Sequence, residues 1–108
     1  MFKHITPREL ADRQAAGDRV HLLDVRLPWE HATAALPDSQ LIPLPQLPAR
    51  VDEVQPPPGV PVVVYCHHGV RSQHAALILA HAGFPDVYSL AGGIDAWSIQ
   101  VDARIPRY

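Results

Sequence analysis

Val60-Pro61-Val62-Val63-Val64-Tyr65 is the stretch that most limits what this chain can become. Its residues are apolar on both faces a strand would present, so it suits a central strand shielded from water on each side. Parallel sheets reach that state by laying helices over both faces. The rest of the chain alternates short β-rich runs with helical patterns, as such a layout requires. The expected fold class is α/β: a three-layer α/β/α arrangement with a central parallel sheet of about five short strands. Residues 1–108 read as one domain, of a size that can bury a core without disulfides.

The remaining elements follow from local chemistry. Phe2 to Ile5 reads as a short opening strand, and Thr6-Pro7-Arg8-Glu9 as a helix start. Thr6 is the N-cap, Pro7 sits where its missing N–H costs nothing, and Glu9 completes a capping box. Gly17 reads as the stop of that helix. Val20 to Val25 is a buried strand, and Pro28 to His31 a helical turn opened by proline. Pro37-Asp38-Ser39 is a turn, Leu41-Ile42 a brief strand, and Gln46 to Val54 holds one or two helical turns limited by Pro48. Gln55-Pro56-Pro57-Pro58-Gly59 is a stiff surface connection. Ser72 to His81 is the clearest helix, with Ala75, Ala76, Leu79 and Ala82 on one side and Gly83 at its end. Val87 to Leu90 forms a last strand, and Gly92-Gly93 opens a final helix through Trp97.

The formal charge of −2 argues against a nucleic-acid partner, which calls for a strongly basic surface. No stretch approaches the ~20 apolar residues needed to span a bilayer, so no membrane partner is expected. The first residues lack the apolar run of a signal peptide, which points to the cytoplasm. With one cysteine, neither an internal disulfide nor a zinc site built on several cysteines can form.

That cysteine sits in the most informative segment, Tyr65-Cys66-His67-His68-Gly69-Val70-Arg71-Ser72, which joins the central strand to the strongest helix. The carboxyl ends of strands are where open α/β sheets bind ligands. A tight loop entering a helix turns several backbone N–H groups inward, and the helix dipole adds partial positive charge. A thiolate placed there is stabilised and reactive. Gly69 lets the loop turn sharply, and Ser72 is placed to cap the helix. Asp24 and Arg26 lie at a strand end on the same edge as Cys66, where an ion pair would fix the surrounding loops. Trp29 and Trp97 read as core or wall residues, and His4, His21, His31, His74 and His81 as scaffold or surface.

This segment resembles the active-site loop of the rhodanese family, whose persulfide-forming cysteine starts a six-residue loop after a central strand. Leu22 to Arg26 with Trp29-Glu30-His31 resembles the family's first signature. Gly83 to Tyr88 with Leu90 to Trp97 resembles its C-terminal signature. Ala34-Ala35-Leu36-Pro37-Asp38-Ser39 stands where the family usually carries Gly-His-Ile-Pro-Gly-Ala.

The resemblance implies a double displacement with Cys66 as the catalytic residue. A thiosulfate-like anion gives its outer sulfur to the thiolate, and cyanide or a thiol, small or on a protein, removes it from the persulfide. Main-chain N–H groups of the persulfide-binding loop, His67, His68, Gly69, Val70, Arg71 and Ser72, would hold the anion as an oxyanion hole does. Asp24 and Arg26 would support it. The lone cysteine means that the sulfur acceptor comes from outside. Four residues separate Cys66 from Arg71, whereas the related cell-cycle phosphatases have a wider ring with one residue more. That count favours sulfur transfer over phosphatase or arsenate reductase activity. A non-catalytic sulfur-relay or protein-binding module is the other alternative. Arg71 either binds the anionic donor or turns away to pair with an acid. His67 and His68 either lend positive charge at the mouth or supply backbone alone. No cofactor is called for, and two adjacent loop histidines without a third ligand make a metal site unexpected.

Overall fold

The computed structural model describes all residues from Met1 to Tyr108. Five parallel strands form one sheet in the order β1-β5-β4-β2-β3. They are β1 (Lys3–Ile5), β2 (His21–Asp24), β3 (Gln40–Leu41), β4 (Val62–Tyr65) and β5 (Val87–Leu90). The apolar run anticipated as central is β4, paired on one side to β2 and on the other to β5. From β2 the chain continues outward to β3, and from β4 it continues to β5 on the opposite side. The chain thus diverges between β2 and β4, the kind of switch point at which open α/β sheets receive ligands. Cys66 follows β4 directly at that edge.

Alternation along β4 splits the core into two. Val62, Val64 and Cys66 face a cluster with Leu23, Val25, Ile42, Leu47, Ala75, Ala76, Leu79 and Val87. Val63 and Tyr65 face another with Ile5, Leu10, Leu22, Leu36, Leu90, Ile94 and Trp97. Helices α3 (Leu47–Arg50) and α4 (Arg71–His81) thus cover one face, and α1 (Pro7–Ala15) and α5 (Gly93–Gln100) the other. This is the three-layer α/β/α arrangement expected from the sequence.

Local signals acted as anticipated at α1. Thr6 Oγ1 accepts from the Glu9 N–H at 3.1 Å, and Glu9 Oε1 accepts from the Thr6 N–H at 2.9 Å. Helix α2 (Pro28–Thr33) opens on its proline. Pro48 falls in the first turn of α3, where its ring is tolerated, and single 3₁₀ turns flank that helix. Asp38 adopts φ 61°, the left-handed conformation usually left to glycine. This explains how the chain turns there with aspartate where the resembled family carries glycine.

One expectation needs correction. Ser72 does not cap α4: the helix starts at Arg71 with Val70 in the capping position, and the Ser72 hydroxyl is buried against Ser89 Oγ at 2.7 Å. Of the two tryptophans read as core or wall, Trp97 is in the core, while Trp29 is 59% exposed and packs against Tyr108 at the surface.

Candidate active site

Cys66 leaves β4 and the chain folds back around its sulfur before entering α4. The Gly69 N–H donates to Sγ at 3.1 Å, and the Ser72 N–H at 3.3 Å. The second donor is the N–H that a capping side chain normally satisfies in the first turn of a helix. The cysteine sulfur therefore takes the capping place that the sequence reading gave to the Ser72 hydroxyl. An anion held there also feels the positive end of the α4 dipole. Cys66 is 1% exposed, with its sulfur seated in the ring.

The ring is gripped from below by α5. The Ile94 N–H donates to the Cys66 carbonyl at 2.9 Å, and the Asp95 N–H to the His67 carbonyl at 3.1 Å. Contact this close requires glycine. Gly93 has φ 62°, and a Cβ on it would collide with the carbonyl oxygens of both Cys66 and His67. Gly69, at φ 100°, turns the loop back and leaves room for the Gly92 N–H only 3.0 Å from where a Cβ would stand. The Gly92-Gly93 pair thus lets one helix N-terminus dock on the loop backbone.

Arg71 closes the ring, and its side chain turns to an acid of the scaffold. Its Nη1 and Nη2 donate to Glu30 Oε1 and Oε2 at 2.7 and 3.0 Å. The sequence left open whether Arg71 pairs or binds a donor anion; here it pairs bidentately. Glu30 stands in the Trp29-Glu30-His31 stretch of the first signature, to which the sequence alone assigns no role. It is buried, also accepts from the Leu27 N–H at 3.1 Å and from the Tyr108 hydroxyl at 2.7 Å, and ties α2 to the loop. The Arg71 guanidinium holds its carboxyl at about 2, with Tyr108 and Leu27 assisting against the cost of burial. Only the partner's position in space, 41 residues away, identifies the role.

Asp24 and Arg26 form a buried ion pair behind the loop. Arg26 Nε and Nη2 donate to the two Asp24 oxygens at 2.9 and 2.8 Å. Burial opposes the Arg26 charge, but Asp24 and Tyr108 more than offset this and raise its pKa. Arg26 Nη2 also donates to the Ala34 carbonyl, fixing the segment after α2. His31 Nδ1 lies 2.8 Å from Asp24 Oδ2, so one of the histidines read as scaffold completes this cluster.

His67 and His68 stack at 3.9 Å between ring centroids. On its other face His67 stacks on Tyr108, also at 3.9 Å and nearly parallel. Burial, then the neighbouring His68, lowers the pKa of His67 and favours its neutral form. His68 Nδ1 lies 3.8 Å from Asp95 Oδ2, an oxygen also held by Arg107. Trp29 meets the Tyr108 ring edge-on at 5.8 Å. Tyr108 itself had no motif to announce it.

A parallel three-layer α/β/α protein with its only cysteine seated on main-chain N–H groups at the carboxyl end of the central strand is a narrow class. The Rhodanese-like domain model matches residues 6–100, and the chain belongs to the rhodanese family. It is 37% identical over 98 residues to a sulfurtransferase of Allochromatium vinosum, covering 91% of this chain and 90% of that one. It is 31% identical to the thiosulfate sulfurtransferase GlpE of Pseudoalteromonas translucida, covering 98% of both. A rhodanese-like domain protein from Staphylococcus aureus has the same fold, with a TM-score of 0.81 at 27% identity and 98% of each chain covered.

Proposed function

We propose that this chain is a sulfurtransferase that moves sulfane sulfur from a thiosulfate-like donor to a thiophilic acceptor through a persulfide on Cys66. The thiolate attacks the outer sulfur of thiosulfate, the sulfur–sulfur bond of the donor breaks, and sulfite leaves with the bonding electrons. Cyanide or a thiolate then attacks the outer persulfide sulfur, and the Cys66 thiolate is released. Cys66 is the catalytic residue. The loop from His67 to Ser72 supplies the persulfide seat, with the N–H groups of Gly69 and Ser72 nearest the sulfur. Asp24 and Arg26 support it from behind.

The observation that carries this reading is the pair of N–H contacts to Sγ inside a ring that Arg71 closes after four intervening residues. Dipoles already aimed at the sulfur stabilise its anion without reorganisation during transfer. The ring also suits a single sulfur atom better than a tetrahedral phosphate. No helix is long and apolar enough to cross a membrane, and the cytoplasm, rich in thiols, is the setting we propose.

Initial rates of thiocyanate formation from thiosulfate and cyanide test the reading. We expect parallel double-reciprocal lines, the mark of a ping-pong mechanism, and no activity in Cys66→Ser. A chromogenic phosphate ester should stay uncleaved. Absence of thiocyanate with a folded protein, combined with hydrolysis of the ester, would overturn the proposal. Sulfur taken up only from a protein donor would favour the relay alternative instead.

A further inference from the structure

We propose that Tyr108 is a positioning residue that ties together the two ends of the Cys66–Arg71 ring; this rests on the sulfurtransferase reading for its catalytic consequence. At the start of the ring, the Tyr108 phenol stacks on His67, with centroids 3.9 Å apart and planes 8° from parallel. At the end, its hydroxyl donates to Glu30 Oε2 at 2.7 Å, the oxygen that also accepts from Arg71 Nη2. The same hydroxyl accepts from Arg26 Nη1 at 2.7 Å, which joins it to the buried Asp24–Arg26 pair. One side chain therefore links His67, Glu30 with Arg71, and the strand-end cluster. Trp29 packs edge-on against its ring and fixes the ring plane.

The arrangement is polarised in one direction. Tyr108 Oη accepts from a guanidinium and donates to a carboxylate, so both roles of a hydroxyl are used. Burial, and then its bond to Glu30, push the phenol up to about 12, so the donated proton stays in place at every physiological pH. The N–H groups of Gly69 and Ser72 point at Sγ only while the ring keeps its shape. Loosening either end spreads those donors and weakens their hold on a sulfur anion. Tyr108 acts on the sulfur through His67 and through Glu30–Arg71.

The test compares Tyr108→Phe, which keeps the stack and loses the hydroxyl, with Tyr108→Leu, which loses both. Two rates are measured on protein shown to be folded by circular dichroism: alkylation of Cys66 by iodoacetamide at pH 7, and persulfide loading from thiosulfate by intact mass. We expect both rates to fall by about fivefold in Tyr108→Phe, the scale of one lost hydrogen bond, and further in Tyr108→Leu. Glu30→Gln should lower them too, and combining it with Tyr108→Phe should add less than the product of the single effects. Unchanged or faster alkylation in both folded Tyr108 variants overturns the inference, because a residue that only stabilised the fold or covered the thiol would give that result. If the unmodified protein is never loaded by thiosulfate, the sulfurtransferase reading fails, while alkylation still decides whether Tyr108 shapes the ring.

Discussion

Glu30→Gln removes one negative charge at the point where α2, the Cys66 loop and Tyr108 meet. A glutamate carboxyl ordinarily titrates near 4.5, and Arg71 holds this one at about 2. At about 1.4 kcal/mol for each tenfold change, that gap amounts to about 3 kcal/mol of differential stability. Arg71 is 36% exposed, so solvent screening trims the figure toward about 2 kcal/mol. The sign is fixed by the depressed value in the folded state. The contribution is complete above the unfolded value near 4.5 and is lost as pH falls through about 2. The amide still accepts from Leu27 and from one arm of Arg71, but it carries no charge. Urea unfolding of both proteins between pH 7 and pH 2 measures the difference directly. We expect a gap of about 2–3 kcal/mol at pH 7 that closes as the pH approaches 2. A gap that stays constant with pH would refute the electrostatic origin and leave only lost packing.

Other substitutions probe the remaining parts. Gly93→Ala forces a Cβ at φ 62° into the carbonyls of Cys66 and His67; we expect a loss of about 2 kcal/mol or more in thermal unfolding and slower sulfur loading. Ser72→Ala strands the buried Ser89 hydroxyl at a cost of about 1–2 kcal/mol, yet should keep sulfur loading, since the Ser72 main chain holds Sγ. Arg26→Leu leaves the buried Asp24 carboxylate without its guanidinium, and denaturant unfolding should show a loss of about 3–5 kcal/mol.

Local signals were readable where a few neighbouring residues decide the outcome. The apolar run before Cys66 gave the central strand because its burial on both faces leaves no polar alternation to read otherwise. Thr6 and Glu9 fixed the start of α1 because a capping box closes within one turn. Cys66 itself stood out for the same reason: strand, glycine turn and helix are contiguous around it. The fate of Arg71 was not readable, because its partner Glu30 is distant in sequence and is brought near only by sheet order. Ser72 misled because a serine at a helix start usually caps, and here the sulfur satisfies that N–H first. The sequence leaves Trp29 as core or wall because burial depends on how α2 sits on the sheet, and α2 turns it outward toward Tyr108. Tyr108 lay beyond any motif, since its importance comes from three contacts that converge only in space.

The central claim concerns one sulfur atom on one thiol. Intact-mass spectrometry after incubation with thiosulfate tests it most directly. We expect the chain to gain the mass of a single sulfur, to lose it on adding cyanide, and to show no gain as Cys66→Ser. A gain retained by the serine variant, or no gain from any sulfane donor, would contradict it.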